Sequence, residues 1–435
     1  MASSPAAATG TRTAMSPSLV VLALSLLLGI QPITTDLYLP ALPALTADLD
    51  APVSSAQLTL TALLLAFGVS QMVWGPLSDR FGRRPILLAG LAAYVLAAIG
   101  SSMAGSMALL VAWRAVQGAA MGAAVMCARA IVRDLYTPEQ GARAMSRGLS
   151  GLGVLACLST PVGGAIADAF GWRAALAGPA IFGAATLAVI ALRFEETLAL
   201  KNARALEPGT LVRTWTEILR NPAFLAYSAL TMASYAGLFT FLATSPFVFL
   251  EVLGLSRVQY GMMMFGVTLV YIVGTVVCRR LLPRLGLQRT VAIAGAVSLA
   301  AGSTMGLLAL AGVSSPWAII VPHALFMLGH GVHQPCGQSA AVAPFPHAAG
   351  AASALNGFIM MLAAFAVGAW IGPRLGGGTV FVLTNGLWFW SVGIALAAWV
   401  LVRRYGNLLP APAHGRFGSP DAAATSTQPN RPESR

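Results

Sequence analysis

Twelve runs of about 20 mostly apolar residues, parted by short polar breaks, constrain this chain more than any other feature. They fall at 18–40, 56–76, 85–105, 107–131, 148–167 and 173–193, then at 222–249, 257–279, 289–311, 317–341, 349–371 and 379–402. A helix of that length crosses the hydrocarbon core of a bilayer and satisfies its own backbone polar groups there. The pattern predicts an all-α polytopic membrane protein with twelve transmembrane helices. Charged residues make up only 9% of the 435, against ~25% in a soluble domain. The first run is expected to be retained as a span, because its apolar core is too long for a signal peptide and no A-x-A site follows.

The runs divide into two sets of six. A cytoplasmic tail is expected at 1–17, a six-helix bundle at 18–193, a cytoplasmic linker at 194–221, a second bundle at 222–402 and a disordered tail at 403–435. The linker holds Lys201, Arg204, Arg213 and Arg220 beside four Glu, and 211–219 suits a short interfacial helix with Trp215 at the headgroups. With the N-terminus inside, 22 basic residues lie on the cytoplasmic side. Arg173, Arg257 and Arg374 lie outside, and Arg114 is left within a span. That bias places both termini in the cytoplasm. The net charge of +12 is spread over short breaks rather than gathered on one face, which argues against a nucleic-acid partner. Cys127, Cys157, Cys278 and Cys336 sit in or beside apolar runs without a C-x-x-C pair, so they are expected to pack and to hold neither disulfide nor metal.

A short internal echo supports duplication. LSDRFGRR at 77–84 and LLPRLGLQ at 281–288 share Leu, Arg and Gly at an offset of 204, each after the second span of its half. Parallel six-span repeats are a transporter architecture in which substrate binds between the halves.

Asp36 is the one acid of 14 that falls inside a span. At a helix centre it costs ~2.5–3.5 kcal/mol, so it should face protein or a wet cavity and act there. The alternative is a structural cap at the outer membrane edge, beside Pro40. Arg114, in the outer half of span four, lies at similar depth, so a pairing is open. Desolvation then favours the neutral acid and a close Arg favours the carboxylate.

WGPLSDRFGRRP at 74–85 resembles the signature of the major facilitator superfamily, and RAVQGAAMG at 114–122 resembles a motif of its proton-linked members. DLYLPALP at 36–43, GWRAA at 171–175 and FPHAAGAASALNG at 345–357 are similar to the Bcr/CflA branch of bacterial drug:proton antiporters. The antiporter motif of span five is altered, since ACLSTPVGG at 156–164 has Ala156 and Thr160 in place of glycines. The resemblance implies that Asp36 and Arg114 pair and carry proton coupling. It also implies a conformational gate of Gly75, Asp79, Arg80, Gly82, Arg83 and Arg84, with Asp79 meeting Arg129, Arg133 or a helix N-terminus. Spans one, seven and eleven would line the cavity, offering Tyr38, Tyr235, Phe239, Phe241, Asn356, Phe358 and Phe365.

Gln117, one turn beyond Arg114 on the same face, is open to two readings: it touches substrate or orients the Arg, or it makes a polar contact between helices. His330 and His333 share a face of span ten and favour cavity hydrogen bonding over metal, as no Asp, Glu or Cys of the same helix completes a ligand set in an obvious way; a secondary proton role is the further alternative. Gly118, Gly122, Pro161 and Gly164 suit helix packing. GLGVLA at 151–156 mimics a dinucleotide fingerprint but lies inside a span without a preceding strand. The expected function is proton-coupled export of small lipophilic drugs, for example amphenicol- or bicyclomycin-like compounds, by alternating access in a bacterial inner membrane. A proton-coupled carrier of a metabolite such as a nucleoside is the alternative on the same scaffold. No enzymatic activity is expected, no cofactor beyond the proton gradient, and no partner beyond substrate, protons and lipid.

Overall fold

The computed structural model describes residues 15–136, 138–198, 201, 207–313, 315–345 and 348–406. The expected tails lie outside the described residues, apart from 15–17 and 403–406. The described residues are helical almost throughout. The first half comprises α1 (Pro17–Thr35), a short α2 (Leu42–Asp48), α3 (Val53–Phe81), α4 (Arg83–Ser102), α5 (Met107–Leu135), α6 (Pro138–Phe170) and α7 (Trp172–Arg193). The amphipathic α8 (Pro208–Arg220) matches the interfacial helix expected of the linker. The second half comprises α9 (Pro222–Phe247), α10 (Arg257–Leu310), α11 (Pro316–Val342), α12 (Ala349–Ile371) and α13 (Phe381–Leu396).

Ten of these helical stretches are long and apolar enough to cross a membrane. The 54-residue α10 is two helices joined at Gly286, which has φ 74°. The 27-residue α11 carries His323, His330, His333, Gln334 and Gln338 and is less apolar for that reason. Splitting α10 and adding α11 gives twelve long helical segments among the described residues, six on each side of α8. Gly82 has φ 111° and ψ 160°, and Gly286, 204 positions later, has φ 74° and ψ 171°. The internal repeat thus extends to a backbone conformation that only glycine adopts without strain.

One end of the bundle gathers Arg80, Arg83, Arg84, Arg133, Arg279 and Arg280 and is here called the basic end; the opposite end carries Arg173, Arg257 and Arg374. The halves meet along two seams, α3 against α12 and α6 against α10. The α3–α12 seam is close because Gly68 sits against Met361 and Gly368 against Thr61, where a Cβ would collide. Large apolar side chains such as Leu96, Ile181, Trp317 and Phe389 are exposed on the outside, as a lipid-facing surface requires.

Candidate substrate cavity

The site is built where α1 breaks. Pro40 has no N–H to offer the carbonyl of Asp36, and Leu39 N takes that role at 3.3 Å in a single 3-10 turn. Asp36 therefore occupies the C-cap of α1, where the last carbonyls lack helical partners. Arg114 of α5 fills this gap. Its Nη2 donates to the carbonyl of Thr34 at 3.0 Å and its Nη1 to Oε1 of Gln117 at 2.9 Å. The guanidinium lies 4.2 Å from the centre of the Tyr38 ring. A cation at a helix C-terminus also complements the helix dipole. Thr34 Oγ1 and Tyr94 Oη, 2.6 Å apart, and Tyr38 Oη and Thr59 Oγ1, 3.2 Å apart, brace the cluster.

This geometry corrects the expected ion pair. Asp36 accepts a 2.6 Å hydrogen bond from Thr35 Oγ1, while Arg114 is committed to Thr34, Gln117 and Tyr38 and forms no salt bridge with it. The two groups are neighbours through two residues of backbone. Gln117 holds the guanidinium from the next turn of the same helix.

A cavity of about 500 Å³ lies between the halves, and Asp36 and Arg129 are the charged side chains on its described wall. Tyr235, Phe241, His330 and Asn356 line it as expected. His330 Nδ1 is 2.9 Å from Ser234 Oγ, and Asn356 Oδ1 accepts from Thr231 Oγ1 at 3.0 Å. Six expected liners do not reach it. Tyr38 lies beneath Arg114 and Gln117 beside it. Phe239 is buried against Gly368, and Phe358 sits in the α3–α12 seam at Gly68. His333 is a fifth departure, because it is fully buried and turned towards Val291 on the second arm of α10. Three residues on from His330, it falls far enough round the helix to face a different neighbour. Phe365 is also absent from the wall.

The sequence reading missed several liners, namely His323, stacked on Phe241 with centroids 3.4 Å apart, and Gln31, Gln71, Gln334 and Gln338. Amides isolated within apolar runs were the available signal, since a Gln facing lipid is costly.

At the basic end the signature residues form a charge cluster around the buried Arg83. Asp79 is 2.6 Å away and Asp134 2.8 Å, and Ser78 Oγ accepts from Nη1 at 2.6 Å. Arg133 reaches Asp79 at 3.8 Å, so the expected link to α5 exists. Arg129 does not join it; its Nη1 donates to Ser353 Oγ of α12 at 3.0 Å. Glu196 went unnoticed in the sequence. It accepts from the backbone N–H of Arg83 and Arg84 at 2.9 and 3.1 Å and caps α4. A Cβ at Gly82 would stand 2.5 Å from its carboxylate. Gly75 lies near Met126, Arg80 stands over Phe81, and Arg84 Nη2 bonds the Ala191 carbonyl at 2.9 Å.

At the opposite end the halves are fastened together. Arg257 and Asp168 form a 2.6 Å ion pair between α10 and α6. Gly164 faces the Arg257 backbone, Gly261 faces Pro161, and Gln57 Nε2 donates to the Ala243 carbonyl. Pro161 and Gly164 therefore pack across the interface between halves. Gly118 and Gly122 pack within one half, against Leu63 and Ser70 of α3. The GWRAA stretch is explained by Asp48, which accepts from Trp172 Nε1 at 3.1 Å and Arg173 Nη1 at 2.7 Å.

Two helical halves joined by a linker that contains α8, with a central cavity fastened at one end, define a secondary transporter fold. The chain belongs to the Major Facilitator Superfamily, whose model matches residues 24–368, and it is a multi-pass membrane transporter. Multidrug resistance protein D of Escherichia coli (strain K12) is 30% identical over 338 residues, which cover 78% of this chain and 84% of that relative. The bicyclomycin resistance protein homolog of Haemophilus influenzae is 29% identical over 82% of this chain and 89% of its own length. Among solved structures, the inward-open xylose transporter XylE from E. coli aligns with a TM-score of 0.71 at 14% identity, covering 92% of this chain and 98% of that one. At that identity the likeness concerns the fold.

Proposed function

We propose that this protein exports small, largely apolar drugs in exchange for protons, in a bacterial inner membrane with the basic end and both termini in the cytoplasm. The reading rests on one observation above all: Asp36 is the carboxylate on the described wall of the central cavity. The names of the relatives, which concern resistance to several drugs and to bicyclomycin, point the same way. A largely apolar, aromatic wall holds lipophilic compounds by burial, and a few polar groups set their orientation.

In the proposed cycle, Asp36 takes up a proton when the cavity faces outside and releases it inside as substrate binds. Arg114 is fixed to the carbonyl two residues before Asp36, so rearrangement of this helix end changes the distance between guanidinium and carboxylate. Alternating access follows from parting one end of the halves while closing the other. No catalytic residue is assigned, and no cofactor beyond the proton gradient is invoked.

The test is chloramphenicol flux in proteoliposomes under an imposed pH step. Asp36→Asn should abolish gradient-driven flux while part of the substrate binding remains, and Arg114→Ala should impair both. Unchanged flux in the Asn variant would refute proton coupling at Asp36. Nucleoside accumulation without drug flux would favour the metabolite carrier.

A further inference from the structure

Arg129 is the charged group of the cavity that neither the gate nor the proton site uses. It faces the cavity near the basic end, where its hydrogen bond runs to the neutral Ser353 hydroxyl and, among the described residues, it forms no ion pair. A guanidinium held in a low-dielectric wall without a counterion is a strong site for an acceptor, because charge-assisted hydrogen bonds are the short, strong ones. Gln71 and Gln338 add neutral donors at the same end of the wall.

Asp36 stands at the other end of the same cavity with Gln31, Thr35 and Tyr235. Arg129 lies 15 residues beyond Arg114 on α5, which is about 22 Å along the axis from the depth of Asp36. α1 and α5 run in opposite directions, and side chains tilt towards the N-terminus of their own helix. The carboxylate and the guanidinium therefore lean towards each other. An elongated drug-sized molecule can touch both.

We propose that the cavity is bipolar and selects elongated, apolar molecules with a carboxylate or other electron-rich acceptor at one end, held by Arg129, and a protonated amine at the other, held by Asp36. This rests on the export reading and names its substrate class. Occupation of Arg129 would also compete with its bond to Ser353, so cargo would loosen a strut between α5 and α12 at the basic end.

The test measures fluorescence-detected binding of norfloxacin to the purified full chain in lipid nanodiscs at neutral pH. Norfloxacin is a zwitterion; its ethyl ester keeps only the cationic end and its N-acetyl derivative only the carboxylate. The wild type should bind the zwitterion about tenfold more tightly than either blocked form. Arg129→Gln should weaken zwitterion and N-acetyl compound by about tenfold and leave the ester unchanged; Asp36→Asn should do the reverse. Arg129→Lys, which keeps the charge, should retain most of the preference and guards against misfolding of the Gln variant. Equal binding of the three probes, no binding of the zwitterion, or equal weakening of ester and acid by Arg129→Gln overturns the bipolar cavity. The chloramphenicol flux separates the two claims: intact flux with equal probe binding removes only this inference, whereas absent flux removes the export reading.

Discussion

Gly261→Ala should open the end of the molecule opposite the basic end. A Cβ on Gly261 would lie 2.6 Å from Pro161 Cα, 3.1 Å from Pro161 N and 3.2 Å from the Thr160 carbonyl. These are backbone atoms of the facing helix and cannot rotate aside, so the helices must part. Overpacking of this kind costs ~1–3 kcal/mol. α6 and α10 belong to different halves, so the cost applies only to the conformation in which this end is shut. The open state should rise by a factor of roughly 5 to 150 relative to the closed one. Gly266→Ala on the same helix is the control, because its Cβ would meet nothing within 4 Å. Spin labels at Phe170→Cys and Val313→Cys, two exposed positions at this end, one on each half, in a variant lacking the four native cysteines, report the opening by pulsed electron resonance. Gly261→Ala should add a longer distance that Gly266→Ala does not. Identical distance distributions for both folded variants would refute the assignment of this contact as the closing surface.

The basic end gives two further expectations. Arg83→Ala would leave Asp134 without its cation and Asp79 with only the longer contact to Arg133; breaking a buried pair costs ~3–5 kcal/mol, and the partial exposure of Asp79 puts the effect at the lower end. A clear drop in thermal unfolding temperature in detergent is expected, and no drop would show that the cluster is not structural. Glu196→Gln keeps the shape of the α4 cap but removes its charge, so it should cost ~1 kcal/mol and lower the same temperature less than Arg83→Ala. The loss of gradient-driven flux in Asp36→Asn completes the set.

Hydrogen bonds to proline-flanked helix ends explain why the site was only partly legible. Asp36 and Arg114 stood out because each is a charge in an apolar run, and their depth along the spans was readable from the alternating direction of the helices. Depth does not fix which atom a guanidinium meets. Once Pro40 ends α1, the carbonyl of Thr34 becomes the nearer acceptor, and the pair expected between side chains becomes a contact with backbone. Glu196 was invisible for a similar reason, since its partners are main-chain N–H groups more than 110 residues away.

Residue type and spacing alone determined the class of this protein: long apolar runs, the bias of arginines towards one set of breaks and the glycine repeat at an offset of 204. These features follow from interactions between chain and solvent, lipid or near neighbours in sequence, so a linear reading captures them. The rotation of each helix about its axis was decided only by tertiary packing. That rotation sends His330 into the cavity and His333 towards the second arm of α10, buries Tyr38 beneath Arg114, and moves Arg129 from the gate to the cavity wall. With apolar residues on every face and nearly uniform hydrophobicity around each helix, a membrane span carries little record of which side meets its partners. Steric fit between small and large side chains across the seams supplies that choice.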